Sequence, residues 1–107
     1  MINTISADDL YNAIQEKKDF VLIDVRTPEE NKRGTIENSI NVVIDNLDST
    51  IIQTIPDKTK TVYLFCASGA RSEIGADVMQ KLGYTNVFSL QHGILMWRMK
   101  KYPEKKG

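Results

Sequence analysis

The sequence is poor in the residues that staple, break or charge a chain. Cysteine occurs once, so no internal disulfide can form. Histidine also occurs once, and one Cys with one His is too few for a metal centre, so neither a metal nor another cofactor is implied. Lys+Arg and Asp+Glu balance at 14 each, which argues against the concentrated basic excess of a general nucleic-acid binder. No apolar run approaches the length that crosses a bilayer, so no membrane partner is expected. Met1-Ile2-Asn3-Thr4-Ile5-Ser6 shows neither the basic flank nor the apolar run of a secretory signal, and a cytoplasmic location is the expectation. There is no internal repeat, linker or low-complexity segment. What remains is 107 residues, enough for one domain spanning 1–107 with a single core.

Short apolar runs alternate with helical patterns along the chain. Ile2 to Ile5 reads as a first strand. Ser6 and Asp9 resemble a capping box, with Leu10, Ala13 and Ile14 as the helix face behind it. Phe20 to Val25 is apolar apart from Asp24, as a strand covered on both faces requires. Thr27-Pro28-Glu29-Glu30 then has the order of a helix start, cut short by Gly34. Ile40 to Ile44 reads as a third strand, with Asp45 and Asn46 as cap candidates for a stripe of Leu47, Ile51, Ile52 and Ile55 that stops at Pro56. Asn86 to Leu90 is a fifth strand and Gly93 to Met99 a last helix, where Trp97, Met96 and Met99 are expected to pack. The polar tail, 100–107, is expected to fray as a solvated segment. This alternation predicts an α/β fold with a mostly parallel sheet.

The fourth strand and the loop after it carry the chemistry. Thr61-Val62-Tyr63-Leu64-Phe65 is a buried-strand pattern, and Ile74, Val78 and Leu82 predict a helix after it, ending at Gly83. Between them lies Cys66-Ala67-Ser68-Gly69-Ala70-Arg71-Ser72, so the one cysteine stands where a strand ends and a helix begins. Small residues let the backbone curl there, and Gly69 can take a positive φ. Such a loop aims N–H groups at one point with the helix dipole behind them, a setting that lowers a thiol's pKa. The same features also fit an inert core cysteine in a plain strand–turn–helix connection.

Cys66 to Ser72 resembles the active loop of the rhodanese family, commonly Cys-x-x-Gly-x-Arg-Ser. Asp24-Val25-Arg26-Thr27-Pro28-Glu29-Glu30 is similar to that family's Asp-Val-Arg-x-Pro-x-Glu. Gly34-Thr35-Ile36-Glu37-Asn38-Ser39-Ile40-Asn41 follows Gly-His-Ile-x-Gly-Ala-x-Asn, and Leu90 to Trp97 parallels Leu-x-Gly-Gly-x-x-x-Trp. The resemblance implies a three-layer fold, a five-stranded sheet with helices on both faces. It also implies a thiosulfate sulfurtransferase-like enzyme in which Cys66 is the catalytic nucleophile. Cys66 would take a sulfane sulfur from a small donor anion such as thiosulfate and pass it, as a persulfide, to cyanide, a thiol or a sulfur-accepting protein. The N–H groups of Ala67, Ser68, Gly69, Ala70 and Arg71 would face that sulfur. Asp24, Arg26 and Ser72 would support the loop: Asp24 by ordering amides, Arg26 by pairing with Glu29 or Glu30.

The departures from the pattern have consequences. Position 67, often arginine in active members, is alanine, which shifts the expectation toward a less anionic or protein-bound persulfide donor. Arg71 either contacts an anionic donor or pairs with a carboxylate. His92 stands at the first glycine of Gly-Gly, and with Asp24 and Cys66 it permits a rival Cys-His-Asp hydrolase. A phosphatase or arsenate reductase would need five residues between cysteine and arginine, and here there are four. A persulfide carrier or regulatory binding module would use the same loop.

Overall fold

The computed structural model describes residues 2–106; Met1 and Gly107, which the sequence reading places at the ends of the domain, lie outside the described residues. Five strands make one sheet: β1 (Asn3–Ile5), β2 (Val21–Asp24), β3 (Ile40–Asn41), β4 (Val62–Phe65) and β5 (Val87–Leu90). Their order is β1-β5-β4-β2-β3, and every strand pairing is parallel. The helices are α1 (Ala7–Gln15), α2 (Pro28–Arg33), α3 (Leu47–Thr54), α4 (Ala70–Lys81) and α5 (Gly93–Met99), with a 3-10 turn over Ile44–Asn46 before α3.

The period of two along each strand sorts side chains onto the two faces. Val62, Leu64 and Cys66 join Ile23, Val25 and the residues of α3 and α4 in one core cluster. Tyr63 and Phe65 join Leu22 and the residues of α1 and α5 in the other. The result is three layers with β4 at the centre of the sheet. Cys66 continues the alternation of β4 one residue past its end, so its side chain falls on the α4 side.

Four elements differ from their sequence patterns. Helix α4 buries Ser72, Gly75, Ala76 and Met79, not the expected stripe; Ile74 is 59% exposed and Val78 and Leu82 are half-buried on its flank. The reason is close approach: a Cβ on Gly75 would stand only 3.1–3.3 Å from side-chain carbons of Leu47, Ile44 and Leu64. The small face lets α4 lie low on the sheet, so the large residues are left outside. In α3, Leu47, Ile51 and Ile55 are buried but Ile52 is 44% exposed. Regular β3 is two residues long rather than five, although Val42 and Ile44 still donate to the carbonyls of Asp24 and Val25 (3.0 and 3.1 Å) before the chain turns.

The tail expected to fray is docked. Trp97 Nε1 donates to the Pro103 carbonyl (2.7 Å), Tyr102 stacks on Tyr11 with ring centroids 4.2 Å apart, and Lys105 bridges Thr35. Its aromatic and main-chain groups outweigh the polarity of its lysines. No helix among the described residues is long and apolar enough to cross a membrane.

Candidate active site

The site lies beyond the carboxyl ends of β2, β4 and β5, where parallel sheets leave loops and helix starts free to converge. Gly69, at φ +115°, turns the chain from β4 into α4 and serves as the helix's N-cap. That turn brings main-chain N–H groups back over the cysteine. Gly69 N donates to Cys66 Sγ at 3.0 Å and Ser72 N at 3.4 Å. The Ser72 hydroxyl lies 3.7 Å from Sγ, 3.0 Å from the Gly69 carbonyl and 2.6 Å from Ser89 Oγ on β5.

A buried sulfur is ordinarily harder to ionise, and Cys66 is 1% exposed. Burial does push its thiol up and is the largest single influence. The amide and hydroxyl of Ser72, with the amides of Gly69 and Ser68, together outweigh it, so the thiol lies below its ordinary pKa. The sequence reading places the amides of residues 67–71 around the sulfur. In the structure Gly69 and Ser72 make the hydrogen bonds, and Ser72, expected as a support, is a direct donor. Among the described residues, no such bond comes from Ala67, Ala70 or Arg71.

The back of the loop is held by α5. Ile94 N donates to the Cys66 carbonyl (2.9 Å) and Leu95 N to the Ala67 carbonyl (3.1 Å). Fixing those carbonyls away from the sulfur leaves the following N–H groups facing it. Gly93, at φ +59°, permits the approach, since a Cβ there would stand 2.4 Å from Ala67 O and 2.5 Å from Cys66 O. His92, at φ +61°, takes a left-handed conformation that favours glycine, as does Asn38 at φ +68°. These are two of the positions where the sequence departs from a glycine pattern. The His92 side chain is exposed and makes no recorded hydrogen bond to Cys66.

Asp24 and Arg26 form a knot at the end of β2. Arg26 Nε donates to Asp24 Oδ1 (2.9 Å) and Nη2 to Oδ2 (2.8 Å), both side chains being almost wholly buried. Asp24 also accepts from the Arg26 amide, Asn31 Nδ2 and Thr35 Oγ1, while Arg26 Nη2 reaches the Gly34 carbonyl. Asn41 Nδ2 ties the carbonyls of both residues to β3. This corrects the expected pairing of Arg26 with Glu29 or Glu30: two residues along the chain, Asp24 is the nearer carboxylate and shares its burial. With Asp24 committed to Arg26, no Cys-His-Asp arrangement is assembled.

Glu30 instead binds Arg71, Oε1 to Nη1 at 2.8 Å and Oε2 to Nη2 at 3.0 Å. The arginine's hydrogen bonds, with help from the Thr27 cap, hold the Glu30 carboxyl well below the usual range, at about 2. The pair is reciprocal: Glu30 raises Arg71, which also feels the charge of Cys66. Thr27 completes a capping box with Glu30 and Pro28 opens α2, as their order in the sequence predicts. Sequence reasoning missed Glu30 as the arginine's partner, Ser89 as part of the hydroxyl network and Gly93 as the loop's backstop. Only Gly93 left a sequence signal, its place in the Leu-x-Gly-Gly pattern.

These features have counterparts in known proteins. The family model described as the Rhodanese-like domain matches residues 6–100, and the chain belongs to that family. A sulfurtransferase of Allochromatium vinosum is 32% identical over 97 residues, covering 91% of this chain and 89% of its own. A tRNA uridine(34) hydroxylase of Bdellovibrio bacteriovorus is 37% identical over 103 residues; these cover 92% of this chain but only 29% of that larger protein. The crystal structure of a rhodanese-related protein from Thermoplasma volcanium superposes with a TM-score of 0.85 at 32% identity, covering 98% and 99% of the two chains.

Proposed function

We propose that the protein is a sulfurtransferase working through a persulfide on Cys66. The observation that carries this reading is the pair of main-chain N–H groups, from Gly69 and Ser72, aimed at a sulfur at the start of α4. They favour the thiolate over the thiol, and the thiolate is the nucleophile. Attack on thiosulfate forms one S–S bond and breaks another, the electron pair leaving with sulfite. Attack on a thiol persulfide, R–S–SH, does the same with a thiolate as the leaving group. In either case Cys66 keeps the outer sulfur, and its charge falls within reach of the same amides. Cyanide then takes that sulfur as thiocyanate, or a thiol acceptor takes it as a new persulfide, and the Cys66 thiolate is restored. An acceptor protein in place of a small thiol would make the protein a carrier with unchanged chemistry at Cys66.

The test is intact mass after exposure to thiosulfate and, separately, to glutathione persulfide. Wild type should gain one sulfur from at least one donor and lose it to cyanide. Cys66→Ala should gain none. Transfer that survives Cys66→Ala would refute the assignment.

A further inference from the structure

We propose that Glu30 sets the donor class of this site: by occupying Arg71 it leaves Cys66 suited to donors of little negative charge, thiol persulfides, over the thiosulfate dianion. This rests on the sulfur-transfer reading and specifies its substrate. Arg71 is the only cationic side chain in the loop from Cys66 to Ser72. Both of its terminal nitrogens already bind Glu30, 2.8 and 3.0 Å away. Glu30 is itself fixed, because Thr27 N and Thr27 Oγ1 donate to its Oε1 at 3.0 and 3.1 Å. A dianion approaching the loop must therefore displace a bidentate, preorganised carboxylate or go without a cation.

The surroundings do not supply another. In the first turns of α2 and α4, Arg71 stands against Glu29, Glu30 and Glu73. Glu73 lines a cleft beside the loop together with Ser68, Gly69 and His92. Elsewhere the rim is apolar: Ala67 and Ala70 flank the loop, and Ile74 on α4 and Leu95 on α5 are 59% and 50% exposed. Leu95 also donates its amide to the Ala67 carbonyl, which places its helix turn against the loop. Coulomb repulsion scales with the donor's charge, so such a rim penalises thiosulfate twice over and a protonated persulfide hardly at all. An apolar rim also offers contact to the organic part of R–S–SH, which thiosulfate lacks.

The experiment compares kcat/KM for thiosulfate and for glutathione persulfide in wild type, Glu30→Gln and Ala67→Arg. Glutamine keeps the capping contacts to Thr27 and removes only the charge, and Ala67→Arg adds a cation without touching the pair. Wild type should favour glutathione persulfide by at least about tenfold. Each variant should move the ratio toward thiosulfate by roughly tenfold, mainly through KM for thiosulfate. A wild type that prefers thiosulfate, or a ratio unmoved in both variants while each still forms the Cys66 persulfide, overturns the proposal. If neither donor puts sulfur on wild-type Cys66, the sulfur-transfer reading itself fails, and this proposal with it.

Discussion

Gly93 stands so close behind the cysteine loop that a single added carbon would lie 2.4 Å from the Ala67 carbonyl oxygen. The first turn of α5 therefore acts as a wall: it takes the carbonyls of Cys66 and Ala67 and leaves the next amides to face the sulfur. Thiolate stabilisation thus begins on a helix other than the one whose N-terminus faces the sulfur.

Gly93→Ala should destabilise the protein by about 2–4 kcal/mol, because both the contact and the positive φ are unfavourable to alanine. Urea unfolding followed by circular dichroism measures this. Thiolate reactivity of Cys66 should fall in the same variant, since the loop must move off the wall. A loss below about 0.5 kcal/mol would mean that the loop yields easily.

His92 poses the opposite case. It holds a left-handed conformation that costs a non-glycine residue on the order of 1 kcal/mol. His92→Gly should therefore raise stability or leave it unchanged, the gain being reduced by glycine's greater freedom when unfolded. Sulfur transfer should persist, since the imidazole makes no recorded hydrogen bond to the sulfur. A variant that folds with equal stability but transfers a hundredfold more slowly would restore His92 to the chemistry.

These residues also show where the sequence is readable. The apolar run into Cys66, the small residues after it and the Thr-Pro-Glu-Glu helix start are local signals, and the structure follows each of them. Helix α4 hides its buried face because that face is Ser72, Gly75, Ala76 and Met79, and three small residues carry little hydropathy. The Arg71–Glu30 pair joins residues 41 apart, so nothing local announces it. Proximity along the chain points Arg26 to Glu29 or Glu30, whereas burial beside Asp24 decides the pairing. The tail's docking depends on Tyr11, Trp97 and Tyr102 meeting across the fold. Its lysines alone suggest disorder.

The Arg71–Glu30 pair makes a prediction in acid. Glu30's folded pKa, about 2, lies below its ordinary value, so its contribution to stability is present above the unfolded pKa. It is lost as pH falls from about 4.5 through about 2. At pH 7, Glu30→Gln should cost about 1 kcal/mol, the scale of a partly exposed ion pair. The difference between variant and wild type should shrink toward zero near pH 2. Chemical denaturation of both proteins across this range checks it, and a gap independent of pH would assign the effect to packing instead of charge.

The central claim is that main-chain amides make the Cys66 thiolate stable despite its burial. Because Cys66 is the only cysteine, the pH dependence of iodoacetamide alkylation reads its ionisation directly. The account predicts an inflection clearly below the ordinary thiol value of about 8.5. An inflection at or above that value would contradict it, showing that burial among hydrocarbon side chains outweighs the hydrogen bonds from Gly69 and Ser72.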